Sequence, residues 1–103
     1  MTPEGKVKEL VKRALKAAGA YYHMPVQNGM GAPTLDFIGC HKGTFIAVET
    51  KAPGKKPTPR QVLTIEAMRE SGALVYVVDG PETLEPLVNM LVTLSRKALC
   101  DCS

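Results

Sequence analysis

Two carboxylates and an amine could meet in this chain. Glu49-Thr50-Lys51 ends an apolar run, and Asp36 lies upstream of it across a short turn. Folding residues 34–40 back on residues 44–50 about a turn centred between Lys42 and Gly43 sets Cys40 opposite Phe45, Ile38 opposite Ala47 and Asp36 opposite Glu49. Directly opposed strand residues bring their Cβ atoms to roughly 4.5–5.5 Å, where like charges repel. Two acids so placed invite a cation between them, and two carboxylates with a few carbonyl or water oxygens suit Mg²⁺. With Lys51 alongside, the chemistry within reach is metal-assisted cleavage of a phosphodiester bond. The competing reading is a solvated, salt-bridged strand end of little energetic value.

Strand side chains alternate between faces. Asp36, Ile38, Cys40, Phe45, Ala47, Glu49 and Lys51 are therefore expected on one face, and Leu35, Phe37, Ile46, Val48 and Thr50 on the other. The register depends on the turn. Lys-Gly is not a preferred two-residue hairpin sequence and a three-residue loop would shift the pairing, whereas a four-residue loop from His41 to Thr44 keeps the same centre.

The hairpin sits within a recognisable order of elements. Thr2 can cap a helix with Pro3 at its first position, and Val7, Leu10, Val11, Ala14, Leu15 and Ala18 recur at helical spacing until Gly19 stops it. Residues 20–26 read as a first strand ended by Pro25, followed by a glycine-containing loop over residues 27–33. After the hairpin, residues 52–57 are a Gly/Lys/Pro loop, and Thr58-Pro59-Arg60-Gln61 opens a helix with a capping threonine, a first-position proline and a glutamine that completes a capping box. That helix is expected to bury Val62, Leu63, Ile65 and Met68 and to stop at Gly72. The apolar run of residues 73–78 suits a strand covered on both sides. A last amphipathic helix is expected from about Thr83 through Leu99, with Pro86 in its first turn. The order α-β-β-β-α-β-α, a meander followed by a helical crossover, predicts an α/β fold of mixed α+β character: one mixed sheet flanked by helices.

The 103 residues suffice for one domain, expected over residues 1–99, with residues 100–103 expected to fray. A hydrophobic fraction of 45% and a charged fraction of 22% are ordinary for a globular protein, and no apolar stretch approaches the roughly 20 residues needed to span a bilayer. The first residues lack the apolar segment of a secretory signal, so a cytoplasmic location is expected, with no membrane partner. Cys40, Cys100 and Cys102 are an odd number and do not resemble a disulfide framework; the Cys100/Cys102 pair alone makes a poor soft-metal site. A net charge of +3 is compatible with nucleic acid without requiring it.

Asp36, Glu49-x-Lys51 and the α-β-β-β-α-β order resemble the PD-(D/E)xK, or restriction endonuclease-like, superfamily, and within it the VRR-NUC family. The likeness runs over nearly the whole chain: Glu4 in the first helix, the Asn28-Gly29-x-Gly31 loop, Asp36, the Glu-Thr-Lys strand end, the Gly/Lys/Pro loop and Gln61. One departure is that Leu35 precedes Asp36, with the proline displaced to Pro33, and proline supplies no ligating atom. By that resemblance Asp36, Glu49 and the main-chain carbonyl of Thr50 would ligate Mg²⁺ or Mn²⁺, with Glu4 approaching directly or through water. Lys51 would stand beside the phosphate as a catalytic cation, and Gln61 would aim its amide at Lys51 or the water. The resemblance further implies a homodimer that cuts branched DNA such as four-way (Holliday) junctions, as in DNA repair, in a phage or other mobile element and hence in a bacterial or virus-infected cell.

Each further residue has a plainer role to weigh. Glu4 in a first helical turn is already favoured by the helix dipole, and Gln61 is also the capping-box partner of Thr58. Asn28, Gly29 and Gly31 form a turn whose free N–H groups could also hold a DNA phosphate. Lys55, Lys56 and Arg60 are candidate contacts to the DNA backbone, against the alternative of a solvated loop. Leu87, Met90, Leu91 and Leu94 could form a dimer seam, with a core-facing role as the safer assumption. His23 and His41 are expected at polar surface or turn positions. Two other classes of function remain: a non-catalytic nucleic-acid-binding or assembly module that uses these acids structurally, and a restriction-like nuclease that reads sequence.

Overall fold

The computed structural model describes residues 1–26 and 33–101. Helix α1 spans Pro3–Ala18, strand β1 Tyr21–His23, β2 Phe37–His41, β3 Thr44–Thr50, helix α2 Pro59–Glu70, strand β4 Leu74–Val78 and helix α3 Pro81–Asp101. The sheet runs in the order β1-β2-β3-β4. β1–β2 and β2–β3 pair antiparallel and β3–β4 parallel, so the expected meander and crossover form a mixed sheet.

The helix boundaries follow the local chemistry. At α1 the Thr2 hydroxyl accepts from the Gly5 N–H, and Gly19 adopts φ 76, the left-handed stop that a residue without Cβ takes at least cost. At α2 Thr58 and Gln61 close a complete capping box. α3 begins earlier than expected, at Pro81, because the N–H groups of Asp79 and Gly80 both donate to Thr83 Oγ1. It continues through Asp101; residues 102 and 103 lie outside the described residues. β1 is shorter than the expected 20–26, with three residues on the sheet edge. Among the described residues no helix is long and apolar enough to cross a membrane.

The hairpin register is the predicted one: Cys40 pairs with Phe45, Ile38 with Ala47 and Phe37 with Val48. It is set by a two-residue turn in which Lys42 (φ 50) and Gly43 (φ 82) are both left-handed. Such turns match the right-handed twist of the flanking strands, so tight closure outweighs the cost of placing Lys42 there.

Two apolar layers pack on the sheet. On one face Val7, Val11 and Leu15 of α1 and Leu87 and Leu91 of α3 meet Phe37, Ile46, Val48 and Val78. On the other, Ile65 of α2 meets Leu35, Ala47, Ala73 and Val75. Leu87 and Leu91 take the core-facing role that is the safer assumption from the sequence, because α3 turns that stripe onto the sheet. Two expectations change here. Val62 and Leu63 of α2 are exposed at 37% and 67%, since the helix contacts the sheet only along the Ile65–Met68 line. Leu35 packs with Ala47 rather than with Phe37, because the chain bends at Asp36 and strand alternation stops there.

His41 is not at a polar surface. It is buried, with Nε2 2.8 Å from Ser95 Oγ and 3.2 Å from the Leu91 carbonyl, tying the hairpin tip to α3. Gly39 has a steric reason as well: a Cβ there would lie 2.1 Å from the Tyr21 carbonyl oxygen. Gly39→Ala is expected to destabilise the protein by about 1–3 kcal/mol, as overpacking does. Hydrogen exchange should then quicken at Tyr21–His23 before elsewhere; an unchanged β1 would show that the strand adjusts freely.

Candidate active site

The strand ladder stops at Phe37 and Val48, and the next two residues, Asp36 and Glu49, come together at its end. Glu49 is 2% exposed and Thr50 1%, although neither is apolar. Two neighbours fix this corner. β4 pairs alongside, with Glu49 opposite Val77 and Thr50 opposite Val78, and the Lys51 N–H donates to the Val78 carbonyl at 3.0 Å. The end of β3 is thus held from both sides, and Asp36 is carried to it by the bend.

Thr50 holds Asp36 through two donors. Its backbone N–H and its hydroxyl both donate to Asp36 Oδ2, at 2.9 and 2.7 Å. Glu49 differs: its Oε1 is buried and has no hydrogen-bond partner among the described residues. A buried polar atom without a partner carries a desolvation cost of about 1–3 kcal/mol, more if charged.

The two acids titrate far apart. Burial, followed by the hydrogen bond to Asp36 and then its negative charge, pushes Glu49 up to about 8, with Lys51 only partly offsetting them. At Asp36 burial also opposes ionisation, but the hydrogen bonds from Glu49 and from the Thr50 N–H and hydroxyl, with the charge of Lys8, outweigh it and hold the group below the usual carboxylate range. One proton shared between two carboxylates is the arrangement expected where a divalent cation can take the proton's place. The donor chemistry therefore fits a hard cation: Asp36 and Glu49, with the Thr50 carbonyl on the same strand end, are all oxygen donors, and Glu49 Oε1 lacks a partner.

The other candidates are distributed unevenly. Lys51 is half-buried beside Glu49 and forms no salt bridge among the described residues. Glu4 pairs with Lys8 at 3.8 Å, and among the described residues no three His, Cys, Asp or Glu side chains are grouped closely enough to hold a metal together. Gln61 Oε1 accepts from the Thr58 N–H at 2.9 Å, which is its capping role. Lys55 and Lys56 are exposed on the segment leading into α2, and Arg60 is exposed in the first turn of that helix. That segment is tethered where the Gly54 N–H donates to Asp79 at 3.3 Å. Asn28, Gly29 and Gly31 lie outside the described residues.

Two contributors escaped the sequence reading. The Thr50 side chain is one, and a hydroxyl residue flanked by an acid and a lysine is the signal the sequence offers for it. Lys8 is the other: its charge acts on Asp36, and its place one turn after Glu4 gives no hint of that reach.

No protein-family model matches the chain. The curated "Putative nuclease p44" of Acyrthosiphon pisum secondary endosymbiont phage 1 is 33% identical over 84 residues, covering 80% of this chain and 89% of that protein. A solved structure described as a VRR_NUC domain superposes with a TM-score of 0.74 at 26% identity, covering 86% of this chain and 97% of the other.

Proposed function

The chain belongs to the VRR-NUC family of nucleases, and from that premise we propose that it is a Mg²⁺- or Mn²⁺-dependent endodeoxyribonuclease acting on branched duplexes such as four-way junctions as a homodimer. The observation that carries the metal dependence is the buried Glu49 carboxyl, its Oε1 unpartnered, held against the ionised Asp36. Asp36, Glu49 and the Thr50 carbonyl would hold the ion. A divalent cation held by these residues would polarise a phosphate and acidify a water.

The remaining roles belong to the chain itself. Lys51, beside Glu49 and without a salt bridge to a described carboxylate, brings a positive charge to the place where the phosphate gains negative charge. Lys55, Lys56 and Arg60, exposed beyond that strand end, are suited to neighbouring phosphates and would position the duplex without reading its sequence. Three Tyr, two Phe and no Trp offer little for stacking single strands, which favours a duplex substrate. A second copy would bury the apolar surface that Phe45 and Leu63 leave open beside Met68 and Ala73. The phage relative supports a mobile-element setting, in the cytoplasm of a bacterial cell.

The test is a panel of linear duplex, nicked duplex and four-way junction, incubated with Mg²⁺ or with EDTA, with mass from light scattering in parallel. The expected result is cation-dependent cutting that favours the junction, by a particle of twice the chain mass. Junction binding without nicking would favour the non-catalytic module, and cuts at defined sites in linear duplex would favour a sequence-reading enzyme.

A further inference from the structure

We propose that the Thr50 hydroxyl is a positioning group for metal binding: it fixes the Asp36 carboxylate so that a single oxygen, Oδ1, is offered to the cation. This rests on the metal-dependent reading above and adds to it a side chain that touches neither metal nor substrate.

The geometry is specific to this residue. Thr50 is 1% exposed, and its hydroxyl and its N–H converge on one oxygen of Asp36 at 2.7 and 2.9 Å. An O–H donor at that distance from a carboxylate is a charge-assisted bond, stronger than a neutral one. The N–H alone would leave the carboxylate free to swing about its χ2, a broad torsion for aspartate. The second donor, reaching the same oxygen from the side chain, removes that freedom. Asp36 needs this support more than Glu49 does, because it sits in a bend outside the strand ladder whereas Glu49 is held within β3. A β-branched residue also has a restricted χ1, so the hydroxyl is itself held in place. The middle residue of Glu49-Thr50-Lys51 is therefore a working part of the site rather than a spacer. Losing such an outer hydrogen bond to a metal ligand typically costs 10–100-fold in affinity.

The test measures Mn²⁺ binding by calorimetry at pH 8 without DNA, on the parent, Asp36→Asn, Thr50→Val, Thr50→Ala and Thr50→Ser, with metal-free thermal melts of each. Thr50→Val keeps the shape and Thr50→Ser keeps the hydroxyl. The expected result is that Val and Ala weaken Mn²⁺ binding by about 10–100-fold, while Ser stays close to the parent even where its melting temperature falls. Parent-like Mn²⁺ affinity in Val or Ala, or a loss in Ser as large as in Val, overturns the inference; if Val fails to fold, the comparison of Ala with Ser decides. If the parent binds Mn²⁺ and Asp36→Asn does not, the metal reading stands whatever the Thr50 variants do. A parent that binds no Mn²⁺ removes both.

Discussion

Glu49→Gln is expected to lose DNA cleavage by on the order of a thousandfold and yet to melt no lower than the parent at pH 8.5 without metal. The two effects have one origin. Glutamine matches glutamate in shape and can donate to Asp36 as the protonated acid does, so the folded corner is preserved. It cannot become the second anion that a divalent ion requires, so the cation site is lost. Above about pH 8 the parent holds two buried carboxylates against each other, a repulsion the variant never meets. Near pH 5, where Glu49 keeps its proton in the folded protein, the two should melt alike. The outcome that would sink this is a Glu49→Gln protein that cleaves with the parent's Mg²⁺ dependence, since the buried acid would then have no part in holding the ion.

The second large effect is in stability against pH. Glu49 is raised from an ordinary value of 4.5 to about 8 in the folded state. Between those values the folded protein keeps a proton that the unfolded chain has released, so metal-free stability must fall as pH rises through the window, by at most about 1.4 kcal/mol per pH unit from this group. Above about pH 8 both states are ionised and the dependence ends. Asp36 acts in the opposite sense at the acid end: its lowered value contributes stability above about pH 4 that is lost on further acidification. A metal-free melting temperature should therefore peak in mildly acidic buffer and decline toward pH 8.5. Mg²⁺ or Mn²⁺ should reverse the decline, with the largest stabilisation at the alkaline end, because the ion replaces the proton and binds only the folded state. A flat profile between pH 5 and 8.5, or metal stabilisation that is greatest at pH 5, would refute the shared-proton account.

The hairpin was legible because a two-residue and a four-residue connection share one centre of folding, so Ile38–Ala47 and Cys40–Phe45 could be paired by counting, with only a three-residue loop giving another register. The caps were legible for a similar reason, since Thr2-Pro3 and Thr58-Pro59 with Gln61 satisfy local bonds that depend on no distant contact. What failed depends on tertiary placement. Which side of α2 meets the sheet is set by the crossover, so Val62 and Leu63 looked like core by spacing and are exposed. His41 looked isolated because its partners, Leu91 and Ser95, are fifty or more residues away. Leu35 was placed by alternation, which does not survive the bend at Asp36. At the site, the pairing of the two acids could be read from the register. The bonds that orient Asp36 could not, because they form where the register ends.

The left-handed pair Lys42-Gly43 lies at the far end of the hairpin from the acids, five rungs of the ladder away. Surface turns usually tolerate added residues, and are where tags and reporter peptides are commonly spliced in. Here one extra residue would slide β2 along β3 and exchange the faces of every side chain on it, carrying Asp36 away from its partner acid. The length of that loop is thus a specification of the reaction centre written at the opposite pole of the molecule, and a drift in loop length among related chains would mark the loss of nuclease chemistry even where all three charged residues persist.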